Sequence, residues 1–420
     1  MHIHKKQLSN GLTIQAVEMP GTNVVTTLIL VGAGSRYEDR NIAGISHFLE
    51  HMFFKGAKKY KTPQEVSEAV DGFGGEFNAF TGKEYAGYYI KSGRENLQKS
   101  LDVLSDMLLH SRFEESEIEK ERGVILEEMA MYLDAPMYQI GWDFETLVFG
   151  DQPIGRDQIG TRELIKSVTQ QQFKQYQKEL YVPSNTVITF AGAVDKSVLD
   201  LAESFFVFPE RKKSREMAPF DGAVRTEKFR IRVKKTEQYH ISLGMRVLGE
   251  RNEDFPALKI LGVILGGNMS ARMFQRVREK KGLCYSIRTQ VDEFTDTGLM
   301  TTRAGVKLDN VLPAIEAIRY EYDDVRTNGV TEGEMKKAKN FICGKIDLQT
   351  EDTESVAHHF GKDQLLYQVQ EDFDNWKEKI KAVKKSDVER IAKKLLAPGN
   401  LRFSGIGPQI DEEALRKLIS

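Results

Sequence analysis

Residues 165–192 and 380–405 are written to one plan, and this repeat limits what the chain can fold into more than any other feature. The first stretch reads IKSVTQQQFKQYQKELYVPSNTVITFAG and the second IKAVKKSDVERIAKKLLAPGNLRFSG. At an offset of 215 positions the Ile-Lys pairs coincide, as do Val168 with Val383, Pro183 with Pro398 and Asn185 with Asn400. Both read as an amphipathic helix, a Pro-containing turn and an apolar strand. Upstream, with small shifts, FEESEIEKERGVILEEM (113–129) matches VTEGEMKKAKNFICGKI (330–346), and TTLILVGAG (26–34) matches YHISLGMRV (239–247). A helix follows each of those two strands. Duplication on this scale predicts two related domains, and 420 residues are too many for one core.

Strands mixed with long helices give each half an α+β reading, a mainly antiparallel sheet with helices packed on it. The charged, Pro-containing stretch from Phe206 to Ile231 suits a linker. The expected organisation is a first domain at 1–208, a linker at 209–230 and a homologous domain at 231–420, the two forming a clam-shell around a cleft.

With 60 basic and 62 acidic residues the net charge is -2, so bulk electrostatics direct the chain to neither nucleic acid nor a membrane surface. No apolar run approaches the length of a membrane span. The start, MHIHKKQLSNGLTIQAVEMP, resembles neither a signal peptide nor an arginine-rich transit peptide. Cys284 and Cys343 are far apart and read as reduced thiols. A cytoplasmic location is the expectation.

Potential chemistry sits in one copy of the repeat. H-F-L-E-H, His47 to His51, places two histidines one helical turn apart, so both can reach one ion with Glu50 beside it. Zinc takes neutral imidazole nitrogen, and a catalytic zinc usually has three protein ligands plus water. A second helix, Glu115 to Leu133, offers carboxylates at Glu121 and Glu128, two turns apart on one face, while Glu127 points elsewhere. The positions aligned with His47, His51 and Glu128 in the second half are Lys259, Val263 and Lys345, and a charged lysine cannot bind zinc. These residues leave two readings open: half of a metal site, or polar groups on an otherwise apolar helix. His2, His4, His110, His240, His358 and His359 read as surface or packing residues.

With H-F-L-E-H followed by ERGVILEEM, the chain resembles the pitrilysin-type inverted zinc peptidases. It is most similar to the short-chain branch that holds the mitochondrial processing peptidase and its bacterial relatives. In that family about 76 residues separate the second histidine from the glutamate ligand, and here residues 52 to 127 lie between His51 and Glu128, which is 76. The resemblance spans essentially the whole chain. It implies one zinc per chain held by His47, His51 and Glu128. Glu50 becomes the base that takes a proton from the zinc-bound water and passes it to the leaving nitrogen, and Glu121 the carboxylate that holds a ligand histidine in its tautomer. GGNMSARMFQRVREKKGLCYSI (266–287) matches a second family signature, which implies that Arg278 and Tyr285 bind the substrate carbonyl or its oxyanion. GGEFNAFTGKEYAGYY implies an edge strand that takes up extended substrate, with Asn78, Ala79 and Phe80 in contact.

One departure concerns specificity. Where the mitochondrial enzyme carries acidic residues that read a substrate arginine, this chain has Tyr138 and Trp142, so arginine preference is not expected. The resemblance therefore implies an endopeptidase acting on extended peptides or unfolded protein segments. Both signatures lie in one chain, which favours an active homodimer. The alternative is a non-catalytic structural or assembly subunit of the same fold, although such relatives typically lose the ligands kept here.

Overall fold

The two sheets repeat one strand order, as the duplicated sequence predicts. The computed structural model describes residues 1–223 and 225–419. The first sheet contains β1 (His2–Gln7), β2 (Thr13–Glu18), β3 (Val24–Val31), β4 (Glu76–Thr81), β5 (Ala86–Gly93) and β6 (Thr186–Gly192), in the order β1-β2-β6-β3-β5-β4. The second contains β7 (Phe229–Val233), β8 (Tyr239–Leu248), β9 (Cys284–Glu293), β10 (Thr297–Val306) and β11 (Arg402–Gly407), in the order β7-β11-β8-β10-β9. In each sheet one pair is parallel, β2 with β6 and β7 with β11, and the remaining pairs are antiparallel. The two α+β sheets match strand for strand, and β1 is an addition at the edge of the first.

Alternation along the strands sorts each sheet into two unlike faces. In the first sheet Ile14, Ile29, Tyr88, Ile188 and Phe190 are buried on one face. Against it pack the helices Ile45–Phe53, Leu97–His110 and Gln170–Leu180, through Phe48, Phe53, Leu104, Phe173 and Leu180. In the second, Tyr239, Ile241, Leu243, Met300 and Phe403 pack with the helices Phe255–Gly266 and Val311–Asn328.

The opposite faces hold what the repeat does not foretell. By compactness the chain divides into residues 1–129, 157–218 and 347–372 in one unit, and 130–156, 219–346 and 373–420 in the other. This partition exchanges segments between the two halves expected at 1–208 and 231–420. The second face of the first sheet is covered by the helix Thr353–Tyr367, from the second half of the sequence. The second face of the other sheet is covered by the helix Pro136–Phe149, from the first half.

Both covered faces are partly polar, so the helices must supply partners as well as apolar area. Gln15 donates to Thr189 Oγ1 at 2.9 Å, and the Thr26 and Thr353 hydroxyls meet at 2.8 Å. In the second unit Phe144, Val148 and Phe149 cover Leu299, and Asp143 accepts from Arg232 Nη2 at 2.7 Å and pairs with Arg230 at 3.1 Å. A helix's periodicity marks its apolar side but not which of two similar sheets it covers.

Gly361 lets the helix Thr353–Tyr367 approach its sheet closely. A Cβ there would lie 3.0 Å from both Leu30 Cδ1 and Thr189 Oγ1. Gly361→Leu is predicted to lift this helix and lower stability by about 1–3 kcal/mol. Urea unfolding with a lower midpoint would bear this out; an unchanged midpoint would contradict the packing.

Candidate metal centre

The helix Ile45–Phe53 carries its apolar residues at Ile45, Phe48, Leu49, Met52 and Phe53, all essentially buried. That i, i+3, i+4, i+7, i+8 stripe leaves His47, Glu50 and His51 on the other side. Aromatic rings fix the stripe: Phe48 meets Phe173 at 4.9 Å between centroids, and Phe53 meets Tyr88 at 5.2 Å and Tyr181 at 5.1 Å. The helix has no side-chain N-cap of its own. Instead the buried Glu38 carboxylate accepts from the Gly44 and Ser46 N–H groups, each at 2.8 Å. Gly44 enters the helix at φ +96°, and a Cβ there would lie 2.6 Å from Ile159 O, so the entry suits glycine.

The helix Glu115–Asp134 turns Ile118, Glu121, Ile125 and Met129 inward and brings Glu128 to the histidines. Glu128 Oε2 lies 3.7 Å from His47 Nε2 and 3.5 Å from His51 Nε2, and it is buried without a hydrogen-bond partner. His47 Nδ1 is likewise buried and unpartnered. Two ligands bound tetrahedrally to one zinc at its usual bond lengths lie about 3.3 Å apart. The spacing therefore fits a shared ion better than direct bonds between the three side chains. Among the described residues, His47, His51 and Glu128 form the one group of three or more such side chains whose donor atoms all lie within 4.8 Å of one another.

The surroundings prepare these donors. His51 Nδ1 meets Glu121 Oε1 at 2.9 Å, so the proton sits on Nδ1 and Nε2 keeps its lone pair for a metal. The other oxygen of Glu121 lies 2.6 Å from the Lys55 ammonium. Burial, reinforced by the charge on His51, pushes His47 down to about 4, so it is neutral at ordinary pH. Burial lowers His51 too, but the Glu121 bond and the charges of Glu50, Glu128 and Glu121 outweigh it and raise the group. For Glu121, burial is outweighed by the bonds from His51 and Lys55, which keep it below the usual carboxylate range. Glu50 is pushed up by burial and by Glu128, against the Thr81 hydroxyl bond and the charge of His51.

The strand β4 lies at the sheet edge beside this helix. Its alternation puts Phe77, Ala79 and Thr81 on the helix side, where Phe77 meets Phe54 at 5.6 Å and the Thr81 hydroxyl donates to Ser46 O at 3.5 Å. Asn78 and Phe80 point to the other face. Phe80 meets His358 at 5.7 Å, and the Asn78 carboxamide oxygen accepts from Ala79 N–H at 2.9 Å. The exposed Asn78 side chain thus lies on the opposite side of the strand from the helix that carries the histidines. Thr81 and Lys55 escaped sequence reading; period-2 alternation from Ala79 and one helical turn from His51 were the available signals.

Arg278 and Tyr285 lie in the second unit. Arg278 Nε donates to Tyr285 O at 2.7 Å, its guanidinium lies 4.4 Å from the Phe274 ring centroid, and the Tyr285 side chain is exposed. The structure thus joins these two to each other. At the positions aligned with the metal ligands, Lys259 pairs with Glu293, Val263 is partly buried against the core and Lys345 lies 5.9 Å from the Phe341 ring.

Glu121→Gln is predicted to weaken zinc binding about 10- to 100-fold, measured by competition with a chelator. In the metal-free protein, the imidazole resonances of His47 should titrate near 4 and those of His51 above the usual histidine value. Because acidification protonates His51 first, metal affinity should fall as pH drops through that raised value. The reverse order of titration would overturn this account of the site.

Comparison with known proteins places this geometry in a family. Residues 13–144 match Insulinase (Peptidase family M16), and residues 167–342 match the Peptidase M16 inactive domain. A protein of Bacillus subtilis (strain 168) named as a zinc protease is 35% identical over 393 residues, covering 94% of this chain and 95% of that one. One of Streptomyces coelicolor, also named as a zinc protease, is 35% identical over 422 residues, covering 99% and 91%. The crystal structure of a protease from Helicobacter pylori shares the fold, with a TM-score of 0.89 at 22% identity over 97% of this chain and 99% of that one. With zinc as the metal its relatives are named for, the chain belongs to the M16 (insulinase) family of metallopeptidases.

Proposed function

We propose that this chain is a zinc-dependent endopeptidase that cleaves extended peptides or unfolded protein segments. The observation that carries the reading is the arrangement around Glu50: the base candidate shares a helix face with His47 and His51 of the His47–His51–Glu128 donors, and its helix runs beside β4, whose last residue Thr81 donates to Ser46 O at 3.5 Å. Within the sheet β4 pairs on one side only, with β5, so an extended peptide can add along its other side by main-chain hydrogen bonds. A peptide placed there lies beside the base.

His47, His51 and Glu128 would hold a zinc ion, which would supply Lewis acidity toward a carbonyl and toward water. The Glu50 carboxylate accepts a proton from the attacking water and returns it to the departing amide nitrogen. On the match of its second signature alone, we assign Arg278 and Tyr285 to the substrate carbonyl as it gains negative charge. A structural subunit is the rival reading, and the retention of all three donors together with Glu50 argues against it.

In turnover of a quenched peptide library, Glu50→Gln should lose about 10²- to 10⁴-fold in kcat while zinc content stays at one per chain. Arg278→Ala and Tyr285→Phe should lose less. Full turnover by Glu50→Gln would rule out the assigned base, and an inert wild type with zinc bound would favour the structural subunit.

A further inference from the structure

The helix Ile45–Phe53 ends two residues before Lys55, and the chain continues its winding for that distance. Phe54 N–H bonds His51 O at 3.2 Å, and Lys55 N–H bonds Met52 O at 3.1 Å. Gly56 then breaks the path at φ +119°, where a Cβ would lie 2.3 Å from Lys61 O. Lys55 is therefore held one turn beyond His51 by a bend that suits glycine. Its position past the helix C-terminus also places a positive charge where the helix dipole favours one.

Glu121 is the group Lys55 reaches. The Glu121 side chain is 6% exposed, and each of its oxygens has a partner: Oε1 meets His51 Nδ1 at 2.9 Å, and Oε2 meets Lys55 Nζ at 2.6 Å. A carboxylate held by one oxygen alone can turn about its last bonds and carry the imidazole with it. Loss of the lysine would also leave Oε2 buried and unsatisfied, which favours such a turn. Three carboxylates, Glu50, Glu121 and Glu128, converge on the two histidines, and each contributes to the field at His51. A cation on the far side of Glu121 offsets one of these charges without approaching the metal-facing nitrogens.

We propose that Lys55 is a positioning residue of the metal centre, pinning Glu121 so that His51 keeps Nε2 aimed at the ion. The inference rests on His47, His51 and Glu128 being the zinc ligands. It assigns Lys55 to the chain Lys55–Glu121–His51 and to no contact with substrate.

The test is zinc affinity of the full chain, by competition with a chromophoric chelator. Lys55→Met should bind zinc about tenfold more weakly, and Lys55→Arg should stay within about threefold of wild type, since it restores a charged donor. In a Glu121→Gln background, Lys55→Met should change affinity by less than about twofold, because the link through which it acts is gone. Lys55→Gln is the second probe if the methionine variant does not fold, with a loss of about three- to tenfold expected. Wild-type affinity in Lys55→Met or Lys55→Gln overturns the proposal, as does an equal loss in both backgrounds. A wild-type chain that binds no zinc would sink the ligand assignment itself, a different failure from zinc binding that ignores Lys55.

Discussion

Glu128 Oε2 stands 3.7 Å from His47 Nε2 and 3.5 Å from His51 Nε2 and has no hydrogen-bond partner. Lone pairs facing one another in a half-buried place cost free energy unless a cation lies among them. The fold sustains this arrangement through contacts made elsewhere. Edge-to-face and tilted contacts among the rings of Phe48, Phe53, Phe173, Tyr88 and Tyr181 lock one helix, and the inward stripe of Ile118, Ile125 and Met129 locks the other. Glu38 anchors the first helix at its start, and Glu121 sets the ring of its second histidine. The packing of the two helices thus aims the three donors at one point.

Much of this is legible in the sequence because it is local. His47, Glu50 and His51 share a face by helical arithmetic, and Glu121 and Glu128 do so by the same rule. The repeat also foretells the matching strand order, since similar patterns of helix and strand have similar ways to bury their apolar faces. The features that escape are pairings between distant segments. Nothing in T-E-S-V-A-H-H-F-G-K says that Thr353 bonds Thr26 or that Gly361 sits against Leu30. On the edge strand β4, alternation sets Asn78 on one face and Thr81 on the other, where its hydroxyl donates to Ser46 O. Polarity announces a residue; register decides where it points.

The second half shows what the scaffold does without the chemistry. Its sheet has the same central order, yet Lys259 is tied to Glu293 and Val263 has joined the hydrophobic cluster. Its pairing of Arg272 with Glu334 and Asp324 at 2.6 and 2.7 Å puts a salt-bridged arginine beside that cluster. The match of residues 167–342 to an inactive M16 domain accords with this loss of ligands.

The exchanged helices have a consequence for the newborn chain. The first sheet has all its strands once residue 192 is made, but the helix that covers its second face ends at Tyr367. Domains generally fold as units while synthesis proceeds from the N-terminus. Here the metal-bearing unit cannot be completed until more than 170 further residues have left the ribosome. That face mixes Gln15, Thr26 and Thr189 with Leu28 and Leu30, so the late helix brings a hydrogen-bond partner, Thr353, as well as apolar cover.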